Sequence, residues 1–365
     1  LGDVYKRQDM GKEPLQYLKK RNLTEEIIRK FRIGFALDSW NGLVNKVGPK
    51  YNNETSKMLK TGLFGRSEKG TVYDRFRSRI IFPISHQSGD VIAFGGRDYN
   101  KNDQAKYLNS PETAIYQKSN VLYGLSVTKS AITNSNNKYI ILVEGYMDVV
   151  GLSKNGIENV VANLGTSLTD KQISTLNQFF DDIIICFDGD QSGYKAALRA
   201  AENSIKELKP EKQISFLFLP NNEDPDSFVS KNGKNYFLDF TKQNKLSIHK
   251  FIFNHYKKQT DNNPSSMAIF EKKLRFIANS IKDNFIKKYV LEYFLEKIAE
   301  LTPHSNQNKK KFFVKRAKSL ETTKKHFNES QSLTGVELKE FSLLYLVCLL
   351  YTSPSPRDRQ KSRMP

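Results

Sequence analysis

From residue 138 onward the chain alternates short, wholly apolar runs with stretches of helical periodicity. The runs are Tyr139–Val143 (YIILV), Asn159–Leu164 (NVVANL), Ile183–Phe187 (IIICF) and Ile214–Leu219 (ISFLFL). A strand with one wet face alternates apolar and polar residues, and these do not. Such strands must be covered on both faces, which is the situation of a parallel sheet flanked by crossover helices. Helices are expected near 146–154, from Thr169, and from about 191 to 207. The pattern predicts an α/β core over residues 138–245.

The flanks read differently. Residues 9–137 form a mixed segment that ends in an Asn/Ser-rich loop. Within it Thr24 is suited to N-cap a helix, with Glu25 and Glu26 in the first turn favoured by the helix dipole. Tyr73–Ile84 (YDRFRSRIIFPI) is a strand pattern that sets Arg75, Arg77 and Arg79 on one face. Residues 91–97 (VIAFGGR) supply its partner across a turn at Ser88–Gly89. Residues 246–302 are helical throughout, with Phe285, Tyr289, Val290, Tyr293, Phe294 and Ile298 at helical spacing and expected to form the core of a bundle. Residues 303–335 read as a Lys-rich linker and 336–348 as the start of a further helix. The ends, 1–8 (LGDVYKRQ) and 349–365, resemble translated adaptor sequence and are set aside from fold reasoning.

Three acidic groups follow three of the strands. Glu144 follows YIILV, with Asp148 one turn on; Asp188 and Asp190 follow IIICF as D-G-D; Asp224 and Asp226 follow ISFLFLP in E-D-P-D. Ligands of open parallel sheets bind beyond the carboxyl ends of the strands. Carboxylates gathered there repel one another unless a cation neutralises them, and hard oxygen donors select Mg²⁺ or Mn²⁺. Paired metals of that kind serve in-line displacement at phosphorus.

The rest of the chain has the opposite charge. Fifty-eight Lys and Arg stand against 39 Asp and Glu, a net charge of +19, which attracts polyanions and nucleic acid first among them. Only Cys186 and Cys348 occur, which excludes a disulfide scaffold or a cysteine-rich zinc site in this chain. No run is long and apolar enough to span a membrane.

VEGYMDVVGL (143–152), LGTSLT (164–169) and FDGDQSGYKAA (187–197) together resemble the TOPRIM domain of bacterial DNA primase, the DnaG type. The resemblance extends through KFRIGFA (30–36), YDRFRSRIIFPI (73–84), VIAFGGR (91–97), KYLNSPET (106–113) and EDPDSFV (223–229), covering roughly residues 10–300. It implies an α/β TOPRIM parallel-sheet core, α+β overall, flanked by a mixed basic N-terminal subdomain and a C-terminal helical bundle. It implies metal-dependent synthesis of RNA primers from ribonucleoside triphosphates on a single-stranded DNA template, in the cytoplasm at the replication fork, by a monomer. By the same resemblance, Glu144, Asp188 and Asp190 are catalytic and bind metal, and Asp148, Asp224 and Asp226 line the metal site. Arg75, Arg77, Arg79, Arg97, Lys106, Tyr107, Asn109 and Lys118 would contact template or nucleotide.

The family's zinc-ribbon domain is expected upstream, so zinc is not expected in this chain. EFSLLYLVCLL (340–350) resembles the first helix of the domain that docks on the replicative helicase. The acidic pattern alone also fits a TOPRIM nuclease, a DNA repair protein, or a DNA-binding module with a decayed site.

Overall fold

A computed structural model describes residues 11–301 without positions 53, 101–104, 133–137, 166, 221–222 and 262, together with Leu343. The linker, the terminal helix at 336–348 apart from Leu343, and both end segments fall outside the described residues.

The N-terminal part runs α1 (Lys12–Lys20), α2 (Glu25–Lys30), β1 (Gly34–Ala36), α3 (Gly42–Val47), α4 (Thr55–Lys60), β2 (Phe64–Arg66), β3 (Val72–Asp74), β4 (Arg79–Ser85), β5 (Val91–Asp98), β6 (Tyr107–Asn109) and α5 (Leu125–Ile132). Thr24 caps α2 as the sequence predicts, accepting a hydrogen bond from the Ile27 amide at 3.3 Å. β1, β4, β5 and β6 form one antiparallel sheet, and β2 pairs with β3. The β4–β5 hairpin turns at Ser88–Gly89, where Gly89 takes φ +97°.

Tyr73–Ile84 is not one strand. β3 ends at Asp74 and β4 begins at Arg79, with Ser78 in the left-handed region at φ +48°. Asp74 explains the break: its carboxylate accepts from the amides of Leu43 and Val44 at 2.6 and 2.8 Å, satisfying the first turn of α3. Arg75, Arg77 and Arg79 therefore do not share a strand face, because the two-residue alternation is interrupted between them.

The central part runs β7 (Tyr139–Val143), α6 (Tyr146–Lys154), β8 (Val160–Ala162), α7 (Asp170–Asn177), β9 (Asp182–Phe187), α8 (Gln191–Ser204), β10 (Gln213–Phe218), α9 (Pro225–Asn232), α10 (Lys234–Asn244) and β11 (Leu246–Ser247). Its sheet has the order β11-β10-β9-β7-β8, parallel except for β11. The chain leaves β7 toward β8 on one side and leaves β9 toward β10 on the other. The crevice between β7 and β9 is thus the topological switch point, where such sheets bind ligands.

Both sheet faces are covered. One cluster packs α7, α8 and the C-terminal helices on it, including Phe180, Phe187, Phe216, Phe251 and Phe294. The other packs α6, α9 and the N-terminal part, including Phe31, Phe82, Tyr123, Tyr146 and Phe228. α6 and α9 meet closely because residue 151 is glycine: a Cβ there would lie 2.3 Å from Asp226 Oδ1.

α11 (Ile248–Lys258), α12 (Pro264–Asn279) and α13 (Asn284–Leu301) complete the body. Val290, Phe294 and Ile298 form the buried stripe of α13, with Tyr293 partly buried beside it. Phe285 and Tyr289, expected in the core, are 72% and 61% exposed. They lie on the other side of a stripe set by the i, i+4, i+8 spacing of the buried three. No described helix is long and apolar enough to cross a membrane.

Candidate active site

The acidic residues stand where the strands end. Leu142 of β7 is level with Ile185 of β9, and Phe187 of β9 is level with Phe218 of β10. Glu144 and Asp188 each follow the last residue of adjacent strands, so the register brings them to one edge. Asp190 caps α8, accepting from the Gly193 amide at 2.6 Å. Gly193 lets that helix start hard against the strand, since a Cβ there would lie 2.5 Å from the Asp188 carbonyl oxygen. Asp148 sits in the first turn of α6 and accepts from the Gly145 amide at 3.1 Å. Asp224, in a segment that alone reads as a turn, caps α9 through the Ser227 amide at 2.7 Å, with Pro225 in the first helical turn.

These carboxylates feel one another. Glu144 is pushed up to about 7, first by loss of water at the strand tip and then by repulsion from Asp188 and Asp190. Asp188 is raised to about 6 by desolvation, Asp224 and Asp190, with Lys106 pulling the other way. Asp148 is held well above the carboxylate range by desolvation and by the charges of Asp188, Asp224 and Asp226. Among the described residues none of Glu144, Asp148, Asp188 and Asp190 has a Lys or Arg ion-pair partner. Such a set of uncompensated oxygen donors suits a hard divalent cation. No three of them are already drawn together as a metal-gripping group among the described residues.

Asp226 is different. Its carboxylate pairs with Lys154 Nζ at 2.8 Å and with an Arg21 nitrogen at 3.8 Å, and it is 9% exposed. It has counter-ions of its own and ties α9 to α6 and α1.

The basic side is held by contacts that the residue pattern does not announce. Arg75 donates to the Asn109 carbonyl at 3.2 Å. Arg77 lies 3.8 Å from the centre of the Trp40 ring, and Trp40 is 62% exposed. Arg79 is only 3% exposed and donates to the Ala105 carbonyl at 2.8 Å, so it is an internal strut and not a groove-lining cation. Arg97 donates to the Tyr107 hydroxyl and lies 5.2 Å from that ring's centre and 5.9 Å from that of Tyr17. Lys106 Nζ sits 5.7 Å from the same Tyr107 ring, which is itself 37% exposed. Asn109 accepts from the Tyr146 hydroxyl, linking β6 to the residue two beyond Glu144. That link needs Gly95, where a Cβ would lie 2.3 Å from the Tyr146 ring. Lys118 stands in a 3-10 turn, where its carbonyl accepts from Gln172 Nε2 at 3.1 Å. Trp40, Tyr146, Lys154 and Arg21 were not singled out from sequence. Trp40 is the chain's lone tryptophan, and Tyr146 directly follows the E-G pair, so both left a faint signal.

A glutamate at the switch point and a D-x-D pair just beyond the adjacent parallel strand mark a Toprim fold. Residues 138–218 match the family described as the Toprim domain, and residues 4–129 match the DNA primase catalytic core, N-terminal domain. The DNA primase of Legionella pneumophila is 44% identical over 243 residues, covering 67% of this chain and 41% of that protein. The Escherichia coli primase catalytic core superposes with a TM-score of 0.75 at 36% identity, covering 80% of this chain and 92% of that one. A DnaG primase catalytic domain bound to single-stranded DNA superposes at 0.73, also at 36% identity, with coverage of 80% and 92%. The chain belongs to the bacterial DnaG-type primase family and carries its catalytic core. It spans about two fifths of the length of the curated relatives it matches.

Proposed function

We propose that this chain is the polymerising core of a primase, joining ribonucleotides into RNA primers on a single-stranded DNA template. The observation that carries the reading is the cluster of mutually repelling, unpaired carboxylates at the β7/β9 crevice, faced by Lys106 and bound to the basic sheet through Tyr146 and Asn109. Kinship with a primase domain solved on single-stranded DNA supports the choice of template.

In this reading Asp188, Asp190 and Glu144 hold divalent metal, with Asp148 and Asp224 shaping the field around them. The oxygen donors suit Mg²⁺ and Mn²⁺ alike. When bound, such ions neutralise charge developing on the phosphoryl oxygens. Loss of water and the charges of Asp188 and Asp190 raise Glu144 to about 7 in the metal-free protein, a shift that a bound cation would reverse. Lys106, over the Tyr107 ring, tracks the phosphate backbone, Arg97, only 6% exposed, holds the Tyr107 hydroxyl in place, and Trp40 and Tyr107 offer ring faces to bases. Asp226 acts at one remove, fixing α9 and its Asp224 cap. Contact with a replicative helicase would belong to the segment from 336 onward.

The test is primer synthesis on single-stranded DNA with four ribonucleoside triphosphates and Mg²⁺ or Mn²⁺, with a primase zinc-binding domain supplied in trans. Products that disappear in Asp188→Ala/Asp190→Ala support the assignment. Undiminished synthesis by that variant removes it. Labelled DNA incubated with metal and no nucleotides should remain intact, and shortening would indicate a nuclease.

A further inference from the structure

Asp190 stands at the start of α8, and the residue four further on is Tyr194, whose amide donates to the Asp190 carbonyl at 3.1 Å. The Tyr194 ring packs on Phe218, the last residue of β10, and edge-on against Phe251 of α11, with ring centres 5.6 Å apart in both cases. Its hydroxyl meets Nδ1 of His255 at 3.1 Å, one turn along α11 from Phe251.

His255 is 9% exposed, and its other ring nitrogen, Nε2, faces Gln259 Nε2 at 3.1 Å. An amide nitrogen only donates, so the imidazole Nε2 accepts and Nδ1 carries the proton. Burial holds the imidazole pKa below its ordinary value, helped by Lys258 and Lys273 and opposed by Glu202, which keeps the ring neutral. Nδ1–H therefore donates to the Tyr194 hydroxyl, and Gln259 selects the tautomer that does so. A second tie joins the same two helices further on. The Tyr256 hydroxyl donates to Glu202, which also pairs with Lys273 of α12 at 3.2 Å. Glu202 lies about 18 Å along the helix axis from Asp190, whereas Tyr194 is in the first turn, so only the first tie bears on the cap.

We infer that His255 is a positioning residue for Asp190. Through the Tyr194 hydroxyl, the C-terminal helices clamp the first turn of α8 and hold its capping carboxylate at the β7/β9 crevice. The inference rests on the metal reading of the acidic cluster proposed above. A metal ligand fixed before the ion arrives loses little freedom on binding it, so a group that anchors the ligand's backbone raises affinity without touching the ion. The C-terminal helices then tune the metal site as well as cover the sheet.

The test compares Tyr194→Phe with Tyr256→Phe, each of which keeps its ring and loses one hydroxyl contact between α8 and α11. Both should lower the melting temperature slightly and to a similar extent. Only Tyr194→Phe should weaken Mg²⁺ binding in calorimetric titration, by about 3–10-fold, less than the roughly 10–100-fold typical of a group bonded to the ligand itself. In the metal-free protein it should also quicken hydrogen exchange at the Gly193 amide, which donates to the Asp190 carboxylate. His255→Leu should behave like Tyr194→Phe, and His255→Asn, whose amide nitrogen takes the place of Nδ1, should recover Mg²⁺ affinity. In primer synthesis Tyr194→Phe should need more Mg²⁺ for half its maximal rate and regain the parent kcat at saturating Mg²⁺, with KM for ribonucleotides unchanged. Mg²⁺ affinity within twofold of the parent and unaltered Gly193 exchange in folded Tyr194→Phe overturn the inference, as does an equal loss of affinity in Tyr256→Phe. Mg²⁺ binding that persists in Asp188→Ala/Asp190→Ala removes the metal from this site, while quickened Gly193 exchange in Tyr194→Phe still sustains the clamp on the cap.

Discussion

Arg75, Arg77, Arg79 and Arg97 of the N-terminal part are all engaged, on carbonyls of Asn109, Asp74 and Ala105 or on the rings of Trp40 and Tyr107. Across the cleft Glu144, Asp148, Asp188 and Asp190 form no ion pair among the described residues, and only Asp188 feels a cation, Lys106. The difference lies in where solvation is replaced. Carbonyls and π-faces hold guanidinium groups in place without cancelling their charge, so that wall stays positive and rigid. The carboxylates repel one another in partial shelter from water, an arrangement that lowers stability until a cation arrives. One side is finished as folded, and in the proposed reading the other is completed by a divalent cation.

The largest test of this contrast is Asp188→Ala/Asp190→Ala. Primer synthesis should fall by at least about 10³-fold, since charge stabilisation at phosphorus is the main contribution asked of the protein. At pH 8 without metal the same variant should melt close to the parent, because relief of like-charge repulsion offsets the loss of the Asp190 cap on α8. Lost activity accompanied by a clear fall in metal-free melting temperature would mean these residues hold the fold together instead.

The paired acid should behave in the opposite way. Lys154→Met leaves Asp226 buried beside only a distant Arg21, and the fold should lose about 3 kcal/mol in denaturant unfolding. Gly151→Ala, which drives a methyl into the same carboxylate, should cost about 2 kcal/mol. A neutral result for both would place Asp226 with the unpaired group and restore it as a metal-site residue.

Acidity offers a third handle. Glu144 and Asp188 have folded values near 7 and 6, above the ordinary 4.5 and 3.8, so the folded state binds more protons than the unfolded one across that window. The stability of the metal-free protein should therefore fall as pH rises from about 4 to 7. Mg²⁺ at ten times its Kd should add about 1.4 kcal/mol at pH 7.5 and nothing measurable at pH 4.5. Equal stabilisation at both pH values, read by thermal melting, would place the ion elsewhere.

The two regions also differed in how far the residue pattern disclosed them. The α/β unit was legible because strands covered on both faces are wholly apolar, and because Glu144 and Asp188 directly follow such strands. The helix at 225–232 was signposted by an Asp cap, Pro in the first turn and Ser227, yet Asp224-Pro225-Asp226 alone resembles any turn. The basic sheet was less legible because contacts distant in sequence shape it. Asp74 breaks a twelve-residue strand pattern by capping α3, and Arg79 turns inward to Ala105. Nothing in local alternation reports a carboxylate reaching back about thirty residues. Pairing of Asp226 with Lys154 depends likewise on the α6–α9 approach that Gly151 permits.

The smallest effect concerns the joint between the regions. Tyr146 stacks on Phe82 with ring centres 5.3 Å apart and meets Tyr123 edge-on at 4.9 Å, while its hydroxyl donates to Asn109. Tyr146→Phe keeps the rings and removes that one hydrogen bond, so stability should drop by only about 1 kcal/mol. Asn109 also receives Arg75 and sits three residues beyond Lys106, whose charge reaches Asp188. If the joint positions the basic wall against the carboxylates, Tyr146→Phe should reduce primer synthesis several-fold while leaving the Mg²⁺-induced rise in melting temperature unchanged. Parent-level synthesis would mean that the two walls are aligned by core packing alone, with the hydroxyl contributing nothing to their register.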